Sequence, residues 1–530
     1  MNFLDKTIGW FAPRAGLKRA RARAVIDILD KHGRRSYEGA KAGRRTDGWV
    51  VAGTDANAEV STAAAKLRSR ARDLVRNNPY AARGMDALEC NIVGTGIVPR
   101  ADSRTDRVWA RWAEQADAMN QTDFYGLQGL ILRTVVESGS ALVRRRIRRI
   151  EDGLEVPFQL EVLEPDYLDT SKSGYRTGSS YVEQGIQFDA QGRRQGYWLY
   201  QRHPGSSTIV GRSPFESEFV PASEVLHVFR PLRAGQVNGV TWFAPAIIKM
   251  RDLDDYDEAE LLRKKIEACL AAFVITDDES DTLGPVETDE ETGEQVESFE
   301  PGMIKYLRTG SKDVKFNEPK FAGGYAEYMR VQLHAVAAAL GLTYELLTGD
   351  LSQVSFISGR LGLLEFRRFV KKHQTQMMVP QLCLPVWRWF TDLGMVAGAL
   401  DQRRDGKRIG VTWTYPRFEA VEPLKDAMAD LTRIRTGTLT LPEAIAAYGF
   451  DPEDNFAEIA KTNKILDDLG IVLDCDPRKV AKSGSAQKED ASSSSQKEAS
   501  EDDEEEGRIF EYEVVRGYEI GSKTNGSGGR

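Results

Sequence analysis

The chain predicts an α+β fold with more than one domain. Three observations carry that prediction: helical apolar spacing before residue 140, short strands separated by turn residues from there to about 230, and renewed helical patterns after Pro245. Its 530 residues are enough for about two to four domains. A hydrophobic content of 41% and a charged content of 29% fit a globular protein rather than a fibre or a disordered chain. The opening decapeptide has no long apolar stretch or cleavage site, and no apolar run approaches a membrane span, so neither export nor membrane association is expected. Cys90, Cys269, Cys383 and Cys475 lie far apart with no CxxC pair, which predicts buried, reduced thiols.

The first fifty residues are basic, and residues 13–40 read as a basic amphipathic helix containing Arg19, Arg21 and Arg23. Those arginines suit DNA, an acidic partner or a neighbouring subunit. Residues 59–91 follow as helix, with a restart at Pro79, where proline fits a first turn. The glycine-rich 91–99 segment lacks the order of a dinucleotide fingerprint and reads as a turn into a strand. Trp109 and Trp112 mark one helix and residues 124–136 another, with residues 137–140 as the turn that follows. Strands are expected at 158–163, 186–188, 196–200 and 225–229, with residues 189–193 turning between two of them.

A helix from 245 to about 266 sets an apolar seam beside an acidic face carrying Asp252, Asp255 and Glu258. Residues 273–275 enter an acidic insertion, 277–300, that returns as a strand near 305, and 325–340 is the next helix. A polar loop spans 344–360 and contains Gly349, Asp350, Ser352, Gln353, Val354, Ser355, Phe356 and Gly359. Both glycines are read there as points of backbone freedom. The apolar run after Gly359 should be a bent helix, interrupted at Pro380 and Pro385 and ended near Gly394, with Trp387, Trp389 and Phe390 in a core or subunit contact. Helices at 423–435, 440–448 and 453–469 close the folded part, the second opened by a Thr440/Glu443 capping box. Residues 480–506 have the composition of an acidic tail, and 509–515 of a terminal strand or docking peptide.

Catalysis finds little support. The five histidines show no metal-binding spacing, Ser355 and Ser358 lack a nucleophile elbow, and no phosphate-binding loop is present. A two-metal nuclease would need carboxylates converging from separate elements, whereas the acidic residues of 252–260 are consecutive on one helix. No cofactor or metal is expected. The net charge of −8, with basic residues concentrated near the N-terminus, argues against one groove gripping a phosphate backbone.

Several motifs together resemble the lambda-like branch of tailed-phage portal proteins over residues 5–475. They are Arg76-Asn77-Asn78-Pro79-Tyr80-Ala81, Asn91-Ile92-Val93-Gly94-Thr95-Gly96-Ile97, Glu161 to Asp166, and His227-Val228-Phe229-Arg230-Pro231 with Gln236-Val237-Asn238-Gly239-Val240. The strongest are Leu347-Thr348-Gly349-Asp350 through Ser358-Gly359-Arg360 and Leu364-Glu365-Phe366-Arg367-Arg368.

This resemblance implies an N-terminal arm (1–50), a wing (51–240), a first stem helix (241–267), a clip (268–322) and a second stem helix (323–343). A tunnel loop (344–360), a long kinked helix returning to the wing (361–422), a helical crown (423–479) and a tail (480–530) follow. It further implies a homododecameric ring at one capsid vertex of the virion, assembled in the host cytoplasm. Double-stranded DNA would pass through it without sequence specificity. The terminase large subunit would dock during packaging, head-completion or adaptor proteins afterwards, and capsid or scaffold protein around the rim. In such a ring Asp252, Asp255 and Glu258 would form the channel's electrostatic surface, and the 349–359 residues a tunnel loop that restrains DNA. The resemblance also leaves room for a connector ring other than the portal itself.

Overall fold

The computed structural model describes residues 53–268, 324–401, 408–419, 422–448 and 452–473, apart from 176–179 and 208–215, together with isolated positions near 44–51, 450, 476 and 478. It also describes the backbone of short strands between 273 and 308. The 13–40 helix with Arg19, Arg21 and Arg23, most of the acidic insertion, and the 480–530 tail lie outside the described residues. Two compact units divide at Pro452 and Glu453.

The first unit opens with α1 (Ala56–Asn77) and α2 (Pro79–Ile92). Asn78 serves both: its backbone N–H closes α1, and its side-chain oxygen accepts the Ala81 N–H that starts α2. Pro79 costs α2 nothing, because a first-turn residue has no helical partner for its N–H. Strand β1 (Val98–Arg100) leads into α3 (Ser103–Glu114) and α4 (Phe124–Ser138), capped by Asp102 and Asp123. Trp109 and Trp112 on α3 meet Phe124 at ring-centroid distances of 5.1 and 5.8 Å, and Trp112 stacks on Phe158 at 4.6 Å. Residues 137 and 138 belong to α4, not to the turn expected there. The reversal is made by Gly139 alone at φ +96, where a Cβ would lie 2.8 Å from the Val240 carbonyl carbon.

Strand β2 (Ser140–Ile147) is central to a three-stranded antiparallel sheet, flanked by β3 (Phe158–Leu163) and, further along the chain, by Val225–Phe229. Alternate residues of β2 face opposite ways, so Ala141 and Val143 enter the main core while Leu142 enters a second one. That second core lies against a five-stranded antiparallel sheet of β4 (Gly174–Tyr175), β5 (Tyr181–Glu183), β6 (Ile186–Phe188), β7 (Arg194–Tyr200) and β8 (Ser217–Pro221). The 189–193 turn joins β6 to β7, with the Asp189 carboxylate accepting the Gln191 and Arg193 N–H groups. Strand β9 (Val225–Phe229) completes the smaller sheet.

Helix α5 (Ile247–Ala268) leaves this body, and strands β10 (Phe273–Thr276), β11 (Glu287–Thr288), β12 (Gln295–Val296) and β13 (Lys305–Arg308) follow it. β10 pairs parallel with β13, and β11 antiparallel with β12. The chain returns through α6 (Tyr325–Leu340), a short α7 (Tyr344–Thr348) and α8 (Phe356–His373).

No break occurs at the expected bend. The ten residues Gln374–Cys383 wind as a π-helix with Pro380 inside, and α9 (Leu384–Val396) continues from them with Pro385 in its first turn. Trp387 and Phe390 complete the aromatic core at 5.3 and 4.9 Å from Trp109. Gly394 does not end α9; it is buried within the helix against Leu400, and the left-handed glycine beyond the end is Gly398. Strand β14 (Thr412–Thr414) then pairs antiparallel with β1, and α10 (Pro423–Arg435) and α11 (Leu441–Ala447) end the unit. The predicted Thr440/Glu443 capping box opens α11.

The second unit begins in α12 (Pro452–Leu469), which buries no residue of its own. Within it Arg478 bridges Asp476 at 2.8 Å and Asp467 at 3.3 Å.

Of the cysteines, Cys383 is buried, but Cys90 is exposed because it sits on the outer side of α2, contrary to the expectation of buried thiols. Cys269 and Cys475 lie outside the described residues. Among the described residues no helix is long and apolar enough to cross a membrane.

Candidate functional site

Helices α5 and α6 form an antiparallel hairpin. Lys249 Nζ donates to Gln332 Oε1 at 3.0 Å, the Tyr325 hydroxyl to Asp257, and Tyr256 contacts Tyr325 and Tyr328 at centroid distances of 5.8 and 4.9 Å. The bond to Asp257 is the main cause that pushes the Tyr325 hydroxyl up to about 12. Only the first turns of α5 enter the apolar core, through buried Ile247, Met250 and Leu253 spaced three apart. Beyond Leu253 no α5 residue of known exposure is buried.

The acidic residues of α5 divide into two sets. Asp254 accepts from Asn78 Nδ2 at 2.7 Å and Asp257 from Tyr325, so both hold the hairpin in place. Asp252, Asp255 and Glu258 are all exposed. Asp255 has a loose partner in Arg251 at 3.8 Å, whereas Asp252 and Glu258 have no ion-pair partner among the described residues. Apolar side chains stand on the same hairpin without cover, including Leu261 and Leu262 on α5 and Val331 on α6, which is 64% exposed.

The predicted polar loop is shorter than the sequence suggests. Residues 344–348 are α7, and Phe356 and Gly359 fall in the first turn of α8, which leaves Gly349 to Ser355 as the connection. Gly349 ends α7 at φ +75. Gly359 needs no unusual backbone angle; a Cβ there would meet Val354 Cγ1 at 2.9 Å, so its role is close packing. The Asp350 carboxylate accepts the Ser352 N–H at 2.9 Å, and its bonds to Ser352 hold its pKa below the usual carboxylate range. Ser355 caps α8 through a reciprocal bond pair with Ser358. Gln353 is exposed, as are the apolar Leu351, Phe356 and Ile357, so the projecting surface is less polar than its sequence suggests.

Two features escaped the sequence reading. A groove beside α8 gathers cations from residues 367–371 and 417, which are separated in sequence by the π segment and α9. A charge cluster joins α1 to the end of β3, where Arg68 and Arg72 both bridge Asp166, at 3.2 and 2.7 Å, with Glu164 and His203 alongside. Asp166 is held below the normal carboxylate range by the two arginines, against the opposing effect of its burial. Glu164, Asp166 and His203 are the only three potential metal ligands within 4.8 Å of one another among the described residues. Two guanidiniums already supply the positive charge there, so the cluster works as a brace. The carboxylates of α5 do not converge in this way.

Comparison with known proteins fits this architecture. The family described as phage portal protein, lambda family, matches residues 42–374. The chain is 27% identical over 461 residues to the probable portal protein of Halomonas phage phiHAP-1, covering 82% of this chain and 88% of that one. It is 23% identical to the portal protein of Escherichia phage N15 (79% and 88% covered) and to portal protein B of Escherichia phage lambda (74% and 82%). Among solved structures, the virion of a native gene transfer agent particle overlaps at a TM-score of 0.37 and 13% identity, covering 78% of this chain and 97% of that one. The neck of that particle computed with C12 symmetry gives 0.35 and 15%, with 72% and 94% covered. With the family match spanning well over half its length, the chain belongs to the lambda family of phage portal proteins, a structural and not a catalytic family.

Proposed function

We infer that the chain assembles into a closed ring, a dodecamer, at one vertex of a phage capsid, where it forms the passage for double-stranded DNA. The observation that carries this reading is the α5–α6 hairpin: family membership supports a stem at this position, and its exposed acidic and apolar residues are those a ring would use. Repeated around an axis, Asp252, Asp255 and Glu258 would ring the duplex with carboxylates. Like charge keeps DNA from adhering, and mobile counterions screen the repulsion, so the duplex slides. Leu261, Leu262 and Val331 would be covered by neighbouring subunits. The Gly349 to Ser355 connection, with Leu351 and Phe356, is the segment we assign to DNA restraint. Residues 51–240 correspond to the wing, 268–322 to the clip that receives the terminase and later the adaptor proteins, and 423–479 to the crown. Capsid or scaffold protein would surround the ring, which would form in the host cytoplasm and remain in the virion. Arg19, Arg21 and Arg23 are assigned to docking on a neighbouring subunit.

Electron microscopy of the purified full chain tests the reading. Rings with a central aperture, and with residues near 350 toward the axis, are expected. A monomer under assembly-promoting conditions, or a ring carrying that segment on its outer rim, would refute it.

A further inference from the structure

The groove beside α8 has a floor and a rim of different chemistry. Its volume is about 570 Å3, and Leu364, Trp413, Tyr415, Pro416 and Phe418 give it an apolar base. A second pocket of about 480 Å3 shares Leu364, Arg367, Arg417 and Phe418 and continues it toward α10.

Of the four cations lining the groove, Arg368 pairs with Glu365 at 2.9 Å, and the other three lack an ion pair among the described residues. Arg367 lies over the Phe418 ring, 4.9 Å from its centroid, and donates to the Glu419 carbonyl at 2.9 Å. Arg417 lies over Tyr448 at 3.9 Å, and Lys371 is exposed. None of these three has a carboxylate partner among the described residues. In the adjoining pocket, by contrast, Arg360 is paired with Glu422 and Asp426, and Arg433 with Asp430. Glu443 is the one carboxylate lining the larger groove; the Thr440 N–H at 3.1 Å and hydroxyl at 2.9 Å fix it at the start of α11, and its single negative charge is outnumbered by Arg367, Lys371 and Arg417.

We propose that this groove docks an acidic peptide segment of a partner protein, one that carries an apolar side chain between its carboxylates. A guanidinium held over an aromatic ring keeps part of its N–H donor fork free for a carboxylate, with less side-chain entropy left to lose. Lys371 adds a point charge at the open end. The apolar floor takes the side chain between the acidic residues, which a phosphate backbone would not use. Peptide chemistry therefore matches both halves of the groove, and nucleic acid only one. All of the groove's lining comes from a single protomer, so the site is complete without a second copy.

The test is fluorescence anisotropy on the full chain with a labelled peptide, Glu-Glu-Phe-Glu-Glu-Leu, against two controls: Gln in place of every Glu, and Ser in place of Phe and Leu. Saturable binding of the first peptide alone is expected, weakened at least about tenfold by K371E/R417E and unchanged by K66E on the exposed face of α1. In the unsubstituted chain, the same peptide should protect Lys371 from acetylation, which keeps the test valid if the double variant folds poorly. Equal binding of the Ser peptide, or no protection of Lys371, would overturn the proposal. So would duplex DNA binding that is lost in K371E/R417E while the peptide fails to bind.

Discussion

His373 is a base enclosed by rings: Phe369 and Trp242 lie at centroid distances of 4.3 and 4.7 Å, and its Nδ1–H donates to the Phe369 carbonyl at 2.8 Å. Burial pulls its pKa down to about 4, helped by nearby Arg230 and Lys372 and opposed by that carbonyl. His227 is buried with Arg194 Nη1 2.9 Å from its Nδ1, and it is shifted in the same direction by burial first and that arginine second. The sign follows from proton binding. The unfolded chain takes up a proton near the ordinary value of 6.5, while the native state refuses it until about 4. Stability is therefore full above that upper value, falls through the window, and levels off below it. His373 alone should cost about 2 kcal/mol between roughly pH 7 and 5. Urea midpoints at the two pH values should show this loss, and H373Q should reduce it; an unaltered pH slope in the variant would place the acid sensitivity elsewhere.

At the level of elements, the boundary of the 349–355 connection decides what a substitution there means. Ser355 is a cap, so S355A should lower stability by about 1 kcal/mol through the start of α8. Q353A should leave stability unchanged and alter only DNA retention, as both denaturation and retention assays on assembled particles would report. Deleting residues 353–355 confounds the two effects. The same contrast shows what was legible in the sequence. Pro79, the Thr440/Glu443 box and the apolar spacing of α6 are local signals, and each gave its element to within a few residues. Strands β8 and β14 were missed, because five and three residues of mixed polarity carry no period, and β14 pairs with the distant β1. Gly394 and Gly359 were misread for a related reason: a helical glycine packed against Leu400 or Val354 looks, in sequence, the same as one that ends a helix or opens a turn. The outward face of Asp252, Asp255 and Glu258 was legible from periodicity. The groove was not, since its walls meet only after the π segment and α9 fold back.

For the whole molecule, charge on the hairpin should be separable from its folding. D252N/D255N/E258Q removes three exposed carboxylates whose one ion pair is the loose Asp255–Arg251 contact, so stability should change by no more than an ordinary surface substitution, about 0.5 kcal/mol. Binding of duplex DNA by assembled protein should strengthen and depend more steeply on salt. Unchanged DNA binding would show that these carboxylates do not face the passage. D254N, by contrast, should loosen the join to Asn78 and lower stability directly.

The π segment is the feature with the widest reach. Proline normally collides with the carbonyl four residues back, but the broader π turn leaves room for the Pro380 ring without breaking the rod. Each added or removed residue turns an α-helix by about 100°. The relaxed coil thus acts as a rotational spacer, letting Phe366 and Val370 upstream and Trp387 and Phe390 downstream address one interior although a uniform α-helix would aim them apart. Shortening it by a single residue would swing the downstream rings away from Trp109, so the tolerance of this rod to insertion or deletion should be lowest where its winding looks loosest.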